Sequence, residues 1–378
     1  MTRILRKFSR KFFIISNILA VAAFLLVCCT GILSPGRYWY VAVLGLVFPF
    51  IVLALLGFIF FWWFFKSRWA FLSLITLIIG WWQVHALFGL HLFNGFSMAK
   101  PANSLRIMQW NVSRLDQMNP KRPGGSFRKP LLDYIKQMDP DVLCMEEFLE
   151  SNNPREFDEN IPYFTNELKY PYHFFARDHR RWDGVYEHGV IIFSKYPILD
   201  TLRIRYSGPD SLKAAESLIH ADIDVSGQRI RVFATHLQSL RFDGNDYTVI
   251  RTLAKGENNA VGKSKGVLKK FRLAYYLRSK QAELVRREKD SSPYPTIICG
   301  DFNDVPNSFT YARIKGDGND AFLNCGFGIG RTFASLSPTL RIDYIFTDKK
   351  LDVLQFKKTK LPYSDHYPLV ADVQLEVK

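Results

Sequence analysis

Three long apolar runs within the first hundred residues place the strongest constraint on this 378-residue chain. They cover residues 12–33, 38–65 and 69–93, and residues 1–100 contain neither Asp nor Glu. A helix needs about 20 apolar residues to cross the hydrocarbon core of a bilayer. Each run is long enough, and only the short breaks at 34–37 and 66–68 separate them. The sequence therefore predicts a region of three transmembrane helices over residues 1–93.

The positive charges around these runs predict an orientation. Five precede the first run, one lies in the first break and two lie in the second: Arg3, Arg6, Lys7, Arg10 and Lys11; Arg37; Lys66 and Arg68. Positively charged flanks stay in the cytoplasm, so the N-terminus is expected there. With three spans, the chain after residue 93 is then extracytoplasmic. A cleaved signal peptide is the alternative for the first run, but that run is longer than a usual signal core and two more runs follow it.

Residues 94–103 contain Gly95, Pro101 and small polar residues, which predicts a short linker. The formal charge of +15 divides into +9 for residues 1–100 and +6 for the remainder. A mild basic bias suits an anionic substrate without identifying one. The five cysteines show neither a disulfide framework nor metal-binding spacing. We interpret them as small hydrophobic residues.

Beyond the linker, short apolar segments of strand length alternate with stretches of helical periodicity. The strand-like segments are 105–110, 142–145, 189–193, 230–235, 296–299, 342–346 and 369–373. Residues 129–138 and 271–287 place their apolar positions on one helical face. Strands that alternate with helices, with some strands joined directly, indicate a layered α/β domain.

Polar residues follow the apolar part of many of these strands. They are Asn111, the pair Glu146 and Glu147, His236, the motif GDFND at 300–304, Asp343 in RIDY, and SDHYP at 364–368. Ligands of open α/β sheets bind at strand ends. The pattern therefore predicts one polar site that several strands supply.

This ordered set of motifs resembles the endonuclease/exonuclease/phosphatase superfamily over residues 104–377. The resemblance implies an α/β fold, a four-layer sandwich with two mixed sheets packed face to face, as a catalytic domain over 104–378. It also implies a metal-dependent hydrolase of phosphoester bonds.

The resemblance assigns a metal site for Mg²⁺, or Mn²⁺, to Glu147, Asn111 and Asp365. Such hard cations take oxygen ligands and keep several waters, so one or two carboxylates suffice. Glu146 stands where the family has a Gln. We interpret it as a group that supports the site without binding the metal, and direct binding stays an alternative.

The resemblance assigns the catalytic roles to Asp301, Asn303, His236, His366 and Asp343. Asp301 matches the residue that orients or deprotonates the attacking water, and Asn303 matches its partner at the phosphate. The two histidines donate hydrogen bonds to phosphate oxygens or transfer protons. Asp343 matches a carboxylate that orients a histidine or binds metal. Tyr186 and His188 are weaker candidates for substrate contacts.

The substrate stays open in the sequence. The segment 241–280 is rich in Lys and Arg, which fits a solvated loop, anionic lipid headgroups or a nucleic-acid backbone. We carry three hypotheses: a membrane-tethered phosphodiesterase or phosphatase that acts on lipid headgroups, an extracytoplasmic nuclease, and a non-catalytic membrane receptor. The expected partners are the bilayer and the phosphoester substrate, and no protein partner is evident.

Overall fold

The computed structural model of the chain describes residues 3–92, 94–119, 125–207, 215–240, 242, 244–254 and 260–375. Its contacts divide the chain into two compact units. The helical unit consists of Met1–Phe88, Phe242–Ser279 and Val305–Arg313, and the sandwich unit consists of Gly89–Arg241, Lys280–Asp304 and Ile314–Lys378. The division of the sequence at residues 93 and 103 stays a prediction.

The apolar runs form four helices, not three. They are α1 (Arg3–Cys28), α2 (Pro35–Phe64), α3 (Trp69–Ile79) and α4 (Trp81–Leu87). The first two are long and apolar enough to cross a membrane. The third run is bent by 69° between α3 and α4, so it makes a third span only if both helices cross together. The region therefore contains two helices that can cross a membrane, or three if the bent pair is one span, as the sequence predicted.

Gly80 explains the break in the third run. A Cβ atom at this position would lie 2.3 Å from the ring of Phe24 and 2.7 Å from Sγ of Cys28, both in α1. The absence of a side chain lets the backbone approach α1 at the point where the direction changes. Nearer the start of α3, the buried Ser73 hydroxyl donates a hydrogen bond of 2.7 Å to Asn17 of α1. Such polar contacts hold apolar helices together where no water is available.

Two segments from the second half of the sequence belong to the helical unit. One carries α7 (Gly244–Ala254) and the first part of α8 (Ala260–Asp290). The other contains Asn307, whose side-chain amide donates hydrogen bonds of 2.9 and 2.7 Å to the backbone oxygen and Oε1 of Gln83. Thr30 donates a hydrogen bond of 2.7 Å to the backbone oxygen of Asn307.

The sandwich unit contains two six-stranded sheets. The strands β1–β14 are Gly89–Leu90, Ser104–Asn111, Val142–Ser151, Tyr172–Arg181, Tyr186–Ser194, Ile198–Ile204, Leu218–Val225, Gln228–His236, Thr296–Asp301, Asn319–Asp320, Phe327–Gly328, Asp343–Thr347, Val353–Lys358 and Leu369–Gln374. One sheet has the order β10-β12-β9-β8-β7-β6, and the other has the order β13-β14-β2-β3-β5-β4. Each has one parallel pair, β8/β9 or β2/β3, among antiparallel neighbours. Strands β1 and β11 form a separate small sheet.

The two sheets pack face to face through a buried apolar cluster. Ile107 and Ile192 from one sheet share it with Val232 and Ile297 from the other. On the outer face of the β2/β3 sheet, a second cluster is formed with α5 (Arg128–Met138) and α6 (Ile161–Asn166). The remaining helices are α9 (Phe309–Lys315) and α10 (Ala321–Cys325). The predicted α/β sandwich with two mixed sheets is confirmed.

Gly300 allows the parallel strands β8 and β9 to lie close together at the end of the sheet where the polar motifs emerge. A Cβ atom at residue 300 would lie 2.3 Å from the backbone oxygen of Thr235 and 3.0 Å from the ring of Phe302. The backbone oxygen cannot rotate away, so only glycine fits here.

We expect Gly300→Ala to lower the free energy of unfolding by about 2 kcal/mol or more, because overpacking against backbone cannot be relieved by a rotamer change. The measurement is the thermal unfolding midpoint of the full chain in detergent. Gly95→Ala is the matched control, since a Cβ atom at residue 95 meets nothing within 4 Å. Equal midpoints for the two variants would contradict the packing argument.

Candidate active site

Strand ends from both sheets bring the polar residues of the sequence motifs to one edge of the sandwich. In the parallel pair β2/β3, Asn111 lies opposite Glu146. In the other sheet, Asp301 at the end of β9 lies between His236 at the end of β8 and Asp343 at the start of β12. The carboxyl ends of parallel strands and the amino ends of antiparallel neighbours meet at the same edge, which explains why distant motifs converge.

Asp301 lies at the centre of these contacts, and its side chain is buried. Its Oδ2 accepts a hydrogen bond of 3.2 Å from the side-chain amide of Asn111. The same oxygen lies 3.6 Å from Nε2 of His236 and 3.6 Å from Nε2 of His366. Its Oδ1 accepts a hydrogen bond of 2.9 Å from the backbone N–H of Asn303. One carboxylate thus connects residues from four separated motifs.

His366 is held by Asp343. Its Nδ1 lies 3.0 Å from both carboxylate oxygens of Asp343, and the indole of Trp110 donates a hydrogen bond of 2.9 Å to its backbone oxygen. Burial alone would lower the pKa of His366, but the negative charges of Asp343 and Asp301 raise that pKa well above its ordinary value. The raised pKa favours the charged imidazolium, whose Nε2 lies 3.6 Å from Oδ2 of Asp301.

The pKa of Asp301 reflects opposing charges. Burial raises this pKa, and the nearby Asp343 carboxylate raises it further, whereas the charges of His366 and His236 lower it. The net result is a pKa of about 6. The carboxyl group therefore changes protonation close to neutral pH, in the range that suits a general base.

Glu216, just before β7, connects His236 to a third histidine. Its Oε2 lies 3.3 Å from Nδ1 of His236, and its Oε1 lies 3.3 Å from Nδ1 of His188. Burial favours the neutral carboxyl group, but hydrogen bonding to His188 and His236 lowers the pKa of Glu216 below its ordinary range. Burial also works against the charged form of His236, whereas Glu216 and Asp301 raise the pKa of His236 to about 10.

Glu147 and Asp365 are neighbours of this centre, and the backbone N–H of Glu147 donates a hydrogen bond of 3.0 Å to Oε2 of Glu216. Glu147 is in a bulge of β3, has a φ of 50°, and places its carboxylate 3.0 Å from the guanidinium of Arg114. Asp365 is exposed, and its Oδ1 accepts a hydrogen bond of 3.3 Å from the hydroxyl of Ser364. The structure thus gathers Asn111, His236, Asp301, Asp343 and His366, and it places the carboxylates of Glu147 and Asp365 in other local contacts.

The remaining candidates lie beside the centre. Asn303 has a φ of 52°, which Asn tolerates better than most residues, and its amide donates a hydrogen bond of 3.1 Å to the backbone oxygen of Leu237. Tyr186 is buried against Trp182, whose side chain is 56% exposed, and the Tyr186 and His188 rings are stacked with their centroids 6.2 Å apart.

Sequence comparison identifies the family of the chain. The model of the endonuclease/exonuclease/phosphatase family matches residues 108–261 and 267–366, which is more than half of the chain. The chain belongs to this family. A domain of unknown function (DUF8431) matches residues 10–87.

Two relatives illustrate the similarity. Human protein angel homolog 2 is 28% identical over 194 residues, which cover 50% of this chain and 31% of that protein. The match thus spans about a third of the length of that relative. The crystal structure of an endonuclease/exonuclease/phosphatase from Beutenbergia cavernae DSM 12333 has a TM-score of 0.52 and 19% identity, and the match covers 72% of each chain. At this identity, the second relative shows the fold alone.

Members of the endonuclease/exonuclease/phosphatase family hydrolyse phosphoesters, in general with a divalent metal ion, and the donor atoms of this site fit such an ion. Ligand atoms of Asp301, Asp343 and His366 lie within 4.8 Å of one another. Next to them, Oε1 of Glu146 and Oε1 of Gln109 are buried and lack a hydrogen-bond partner in the described part of the chain. Burial and the charges of Asp343 and Asp301 raise the pKa of Glu146 well above its ordinary value. A crowded set of buried oxygens is the environment that a hard divalent cation relieves.

Sequence reasoning missed two residues of this candidate site. Glu216 precedes a strand, and no motif marked it. Gln109 lies two residues before Asn111, so its side chain is on the same face of β2, and its amide donates a hydrogen bond of 2.9 Å to Glu146. The available signal was the alternation along β2, which pairs residues 109 and 111.

We expect Glu216→Gln to lower the pKa of His236 from about 10 by at least about one pH unit, because the negative charge that stabilises the imidazolium is removed. The measurement is NMR titration of ¹⁵N-labelled histidines in the full chain without metal. Glu187→Gln is the control, since Glu187 pairs with Arg177 at 2.9 Å. An unchanged His236 titration in Glu216→Gln would contradict the proposed charge coupling.

Proposed function

We propose that this chain is a divalent-metal-dependent phosphoester hydrolase tethered to a membrane. One observation carries the proposal: Oδ2 of Asp301 lies 3.6 Å from Nε2 of both His236 and His366. The carboxylate can accept a proton, and the two imidazolium groups can donate hydrogen bonds. All three groups thus face the same point. Phosphoester hydrolysis needs a positioned nucleophile and neutralised phosphate oxygens more than it needs covalent chemistry.

Asp301 is the proposed general base. Its Oδ1 is fixed by the backbone N–H of Asn303, and Asn111 donates to its Oδ2. Oδ2 keeps lone pairs for a water molecule that attacks phosphorus, and it takes the proton of that water. With a pKa of about 6, the carboxylate is largely ionised at neutral pH yet basic enough to assist proton transfer.

His236 and His366 are the proposed donors to the phosphate. Nδ1 of His366 is hydrogen-bonded to Asp343, Nδ1 of His236 lies 3.3 Å from Oε2 of Glu216, and both rings place Nε2 3.6 Å from Asp301. This arrangement fixes both rings before substrate binds, which lowers the cost of organising the site. The imidazolium that lies nearer the leaving oxygen donates it a proton.

For the metal ion, we propose Glu147, Asn111 and Asp365 as candidate ligands, with Mg²⁺ or Mn²⁺ as the ion. When bound, the ion neutralises phosphate charge and polarises the phosphorus–oxygen bond. Glu146 is fully buried and has an unpaired oxygen, so direct binding by Glu146 is the alternative that the geometry supports. Tyr186 and His188 are proposed to contact the part of the substrate beyond the phosphate.

A lipid phosphoester is the proposed substrate class because a membrane-bound enzyme meets lipid headgroups at high local concentration. The two apolar helices α1 and α2 supply the expected anchor. An extracytoplasmic nuclease is the second candidate, since the basic composition of residues 241–280 also fits a nucleic-acid backbone. Part of that segment, at 241, 243 and 255–259, lies outside the described residues. A receptor without catalysis is disfavoured, since Asp301, His236 and His366 occur together.

Contacts inside the helical unit support an extracytoplasmic location for residues 305–313. Thr30, just beyond the end of α1, donates a hydrogen bond to Asn307, which itself donates to Gln83 in α4. Residues 305–313 therefore lie at the end of α1 that is opposite the basic N-terminal tail. If the tail is cytoplasmic, as its five positive charges suggest, this end is extracytoplasmic. The bent third run also reaches this end, because α4 shares the contact with Asn307.

We expect the full chain in detergent or nanodiscs to hydrolyse a phosphoester with Mg²⁺ or Mn²⁺, and to lose activity when EDTA removes the metal. The measurement is turnover of bis-p-nitrophenyl phosphate, sphingomyelin, phosphatidylinositol and plasmid DNA. Asp301→Asn should lower kcat by about 1000-fold, because it removes the proton acceptor and keeps the shape of the side chain.

Asp317→Asn is the matched control, since Asp317 is exposed and pairs with Lys349 at 3.2 Å. Turnover that survives in Asp301→Asn would refute the assigned site. Turnover of DNA alone would replace the lipid proposal by the nuclease. The absence of turnover on every substrate with either metal would leave the receptor hypothesis.

We expect the first break and the sandwich unit to lie on the same, extracytoplasmic side. Single cysteines at Ser34 and Lys349, in a chain with Cys29→Ala, should react with an impermeant maleimide in intact cells. A cysteine at Ser67 should react only after permeabilisation, because Lys66 and Arg68 flank a cytoplasmic turn. Labelling of Lys349→Cys only in permeabilised cells would place the catalytic residues in the cytoplasm.

A further inference from the structure

Helix α8 contacts the start of α2 in the helical unit. The hydroxyl of Tyr275 donates a hydrogen bond of 3.4 Å to the backbone oxygen of Ala42. Tyr276 lies at the border of this contact: one edge of its ring reaches Gly36, where a Cβ atom would lie 3.0 Å from Cδ2, and 46% of the residue stays exposed. Val267 and Ala274 are buried on the same side of α8 as Tyr275. One side of α8 is therefore fixed against the end of an apolar, membrane-spanning helix.

Aromatic residues mark this end of α2 as the level of a membrane interface. Tyr38, Trp39 and Tyr40 are consecutive there, and their rings form two edge-to-face pairs. The guanidinium of Arg37 lies 5.4 Å from the centroid of the Tyr38 ring. Tyr, Trp and Arg concentrate where hydrocarbon meets headgroups, because their apolar bodies and polar ends suit both environments. Helix α8 contacts α2 at this aromatic end.

The outer face of α8 combines cations with apolar side chains. We call it the α8 basic face, formed by Lys265, Leu268, Lys269, Arg272 and Tyr276. Their spacing of three and four residues places them on one side of the helix. Leu268 is 42% exposed and Tyr276 is 46% exposed, although both have large apolar side chains. Lys265, Lys269 and Arg272 are also exposed.

Among the described residues, the positive charges of this face have no acidic partner. Within the described residues, Lys265, Lys269 and Arg272 form no ion pair, whereas the neighbouring Lys270 pairs with Asp246. The three segments of the helical unit contain seventeen Lys and Arg but three Asp and Glu in their sequence. A surface with this excess attracts a surface of negative charge.

We propose that the α8 basic face docks on the headgroups of anionic lipids around α1 and α2. The cations bind lipid phosphates, and Leu268 and Tyr276 enter the boundary between headgroups and acyl chains. Amphipathic helices with Lys and Arg beside exposed apolar residues bind membranes in this manner. The continuity with apolar helices and the exposed Leu268 favour a lipid surface over a nucleic acid. The inference concerns membrane binding and does not depend on hydrolytic activity.

The test places an environment-sensitive fluorophore on the α8 basic face. Leu268→Cys is labelled in the full chain carrying Cys28→Ala and Cys29→Ala, in nanodiscs of neutral phosphatidylcholine with or without phosphatidylglycerol. We expect a blue-shifted emission, and at least twofold stronger quenching by headgroup-labelled lipids, only when phosphatidylglycerol is present. The effect should decrease in high salt, since counterions screen exposed charges.

Two controls separate docking from general effects. Leu202→Cys on β6, which is also 42% exposed, should report no lipid dependence. The triple variant Lys265→Gln, Lys269→Gln and Arg272→Gln, which neutralises the α8 basic face, should abolish the response of the fluorophore at residue 268. The same change at the exposed residues Lys349, Lys350 and Lys360 should leave it intact. Equal unfolding midpoints establish that both triple variants are folded.

Three results would overturn the proposal. They are the absence of a lipid response at residue 268, an equal response in neutral nanodiscs, and a response that survives neutralisation of the α8 basic face. A single-stranded oligonucleotide is added to neutral nanodiscs as a competing polyanion. If it alone reproduces the shift and phosphatidylglycerol does not, the face binds nucleic acid.

Discussion

A buried carboxylate between two imidazolium groups is the interaction on which the rest of the candidate site depends. Asp301 has almost no exposed surface, and an unpaired charge there would be expensive in a medium of low dielectric constant. His236 and His366 provide the compensating charges, and Glu216 and Asp343 in turn keep them protonated. Because these groups come from distant parts of the chain, the charge balance exists only when the strands are in register. The chemistry and the sandwich fold are therefore coupled through one set of contacts.

The strand-end motifs allowed much of this centre to be predicted from the sequence. Asp301, His236 and His366 each follow or precede a short apolar segment, and strand ends of one sheet meet at one edge. Glu216 could not be found in this way, because its partners His188 and His236 lie 28 and 20 residues away. The periodicity of apolar residues along one strand or helix carries no information about contacts between residues so far apart in the sequence. The pair Glu146 and Glu147 was also difficult, because a bulge in β3 breaks the alternation that assigns each side chain to a face.

The membrane region shows a different limit of sequence reasoning. Apolar composition predicted α1 and α2, since length and hydropathy alone determine whether a helix can cross a bilayer. The bend between α3 and α4 depends on the approach of Gly80 to Phe24, a contact that apolar composition cannot reveal. The assignment of residues 242–279 and 305–313 to the helical unit likewise rests on long-range contacts. A division by composition at residue 93 separates these segments from the helices they contact.

Those contacts give the apolar helices a role inside the protein. Asn307 follows the GDFND motif by three residues, so the chain that carries Asp301 continues directly into a segment of the helical unit. The amide of Asn307 is buried and donates both of its hydrogen bonds to Gln83, and its backbone oxygen accepts one from Thr30. Without the apolar helices, Asn307 would lose Gln83 and Thr30, the partners that hold it inside the helical unit. Length and hydropathy are therefore not the sole contribution of these helices, because they also bury and fix a segment from the second half of the sequence.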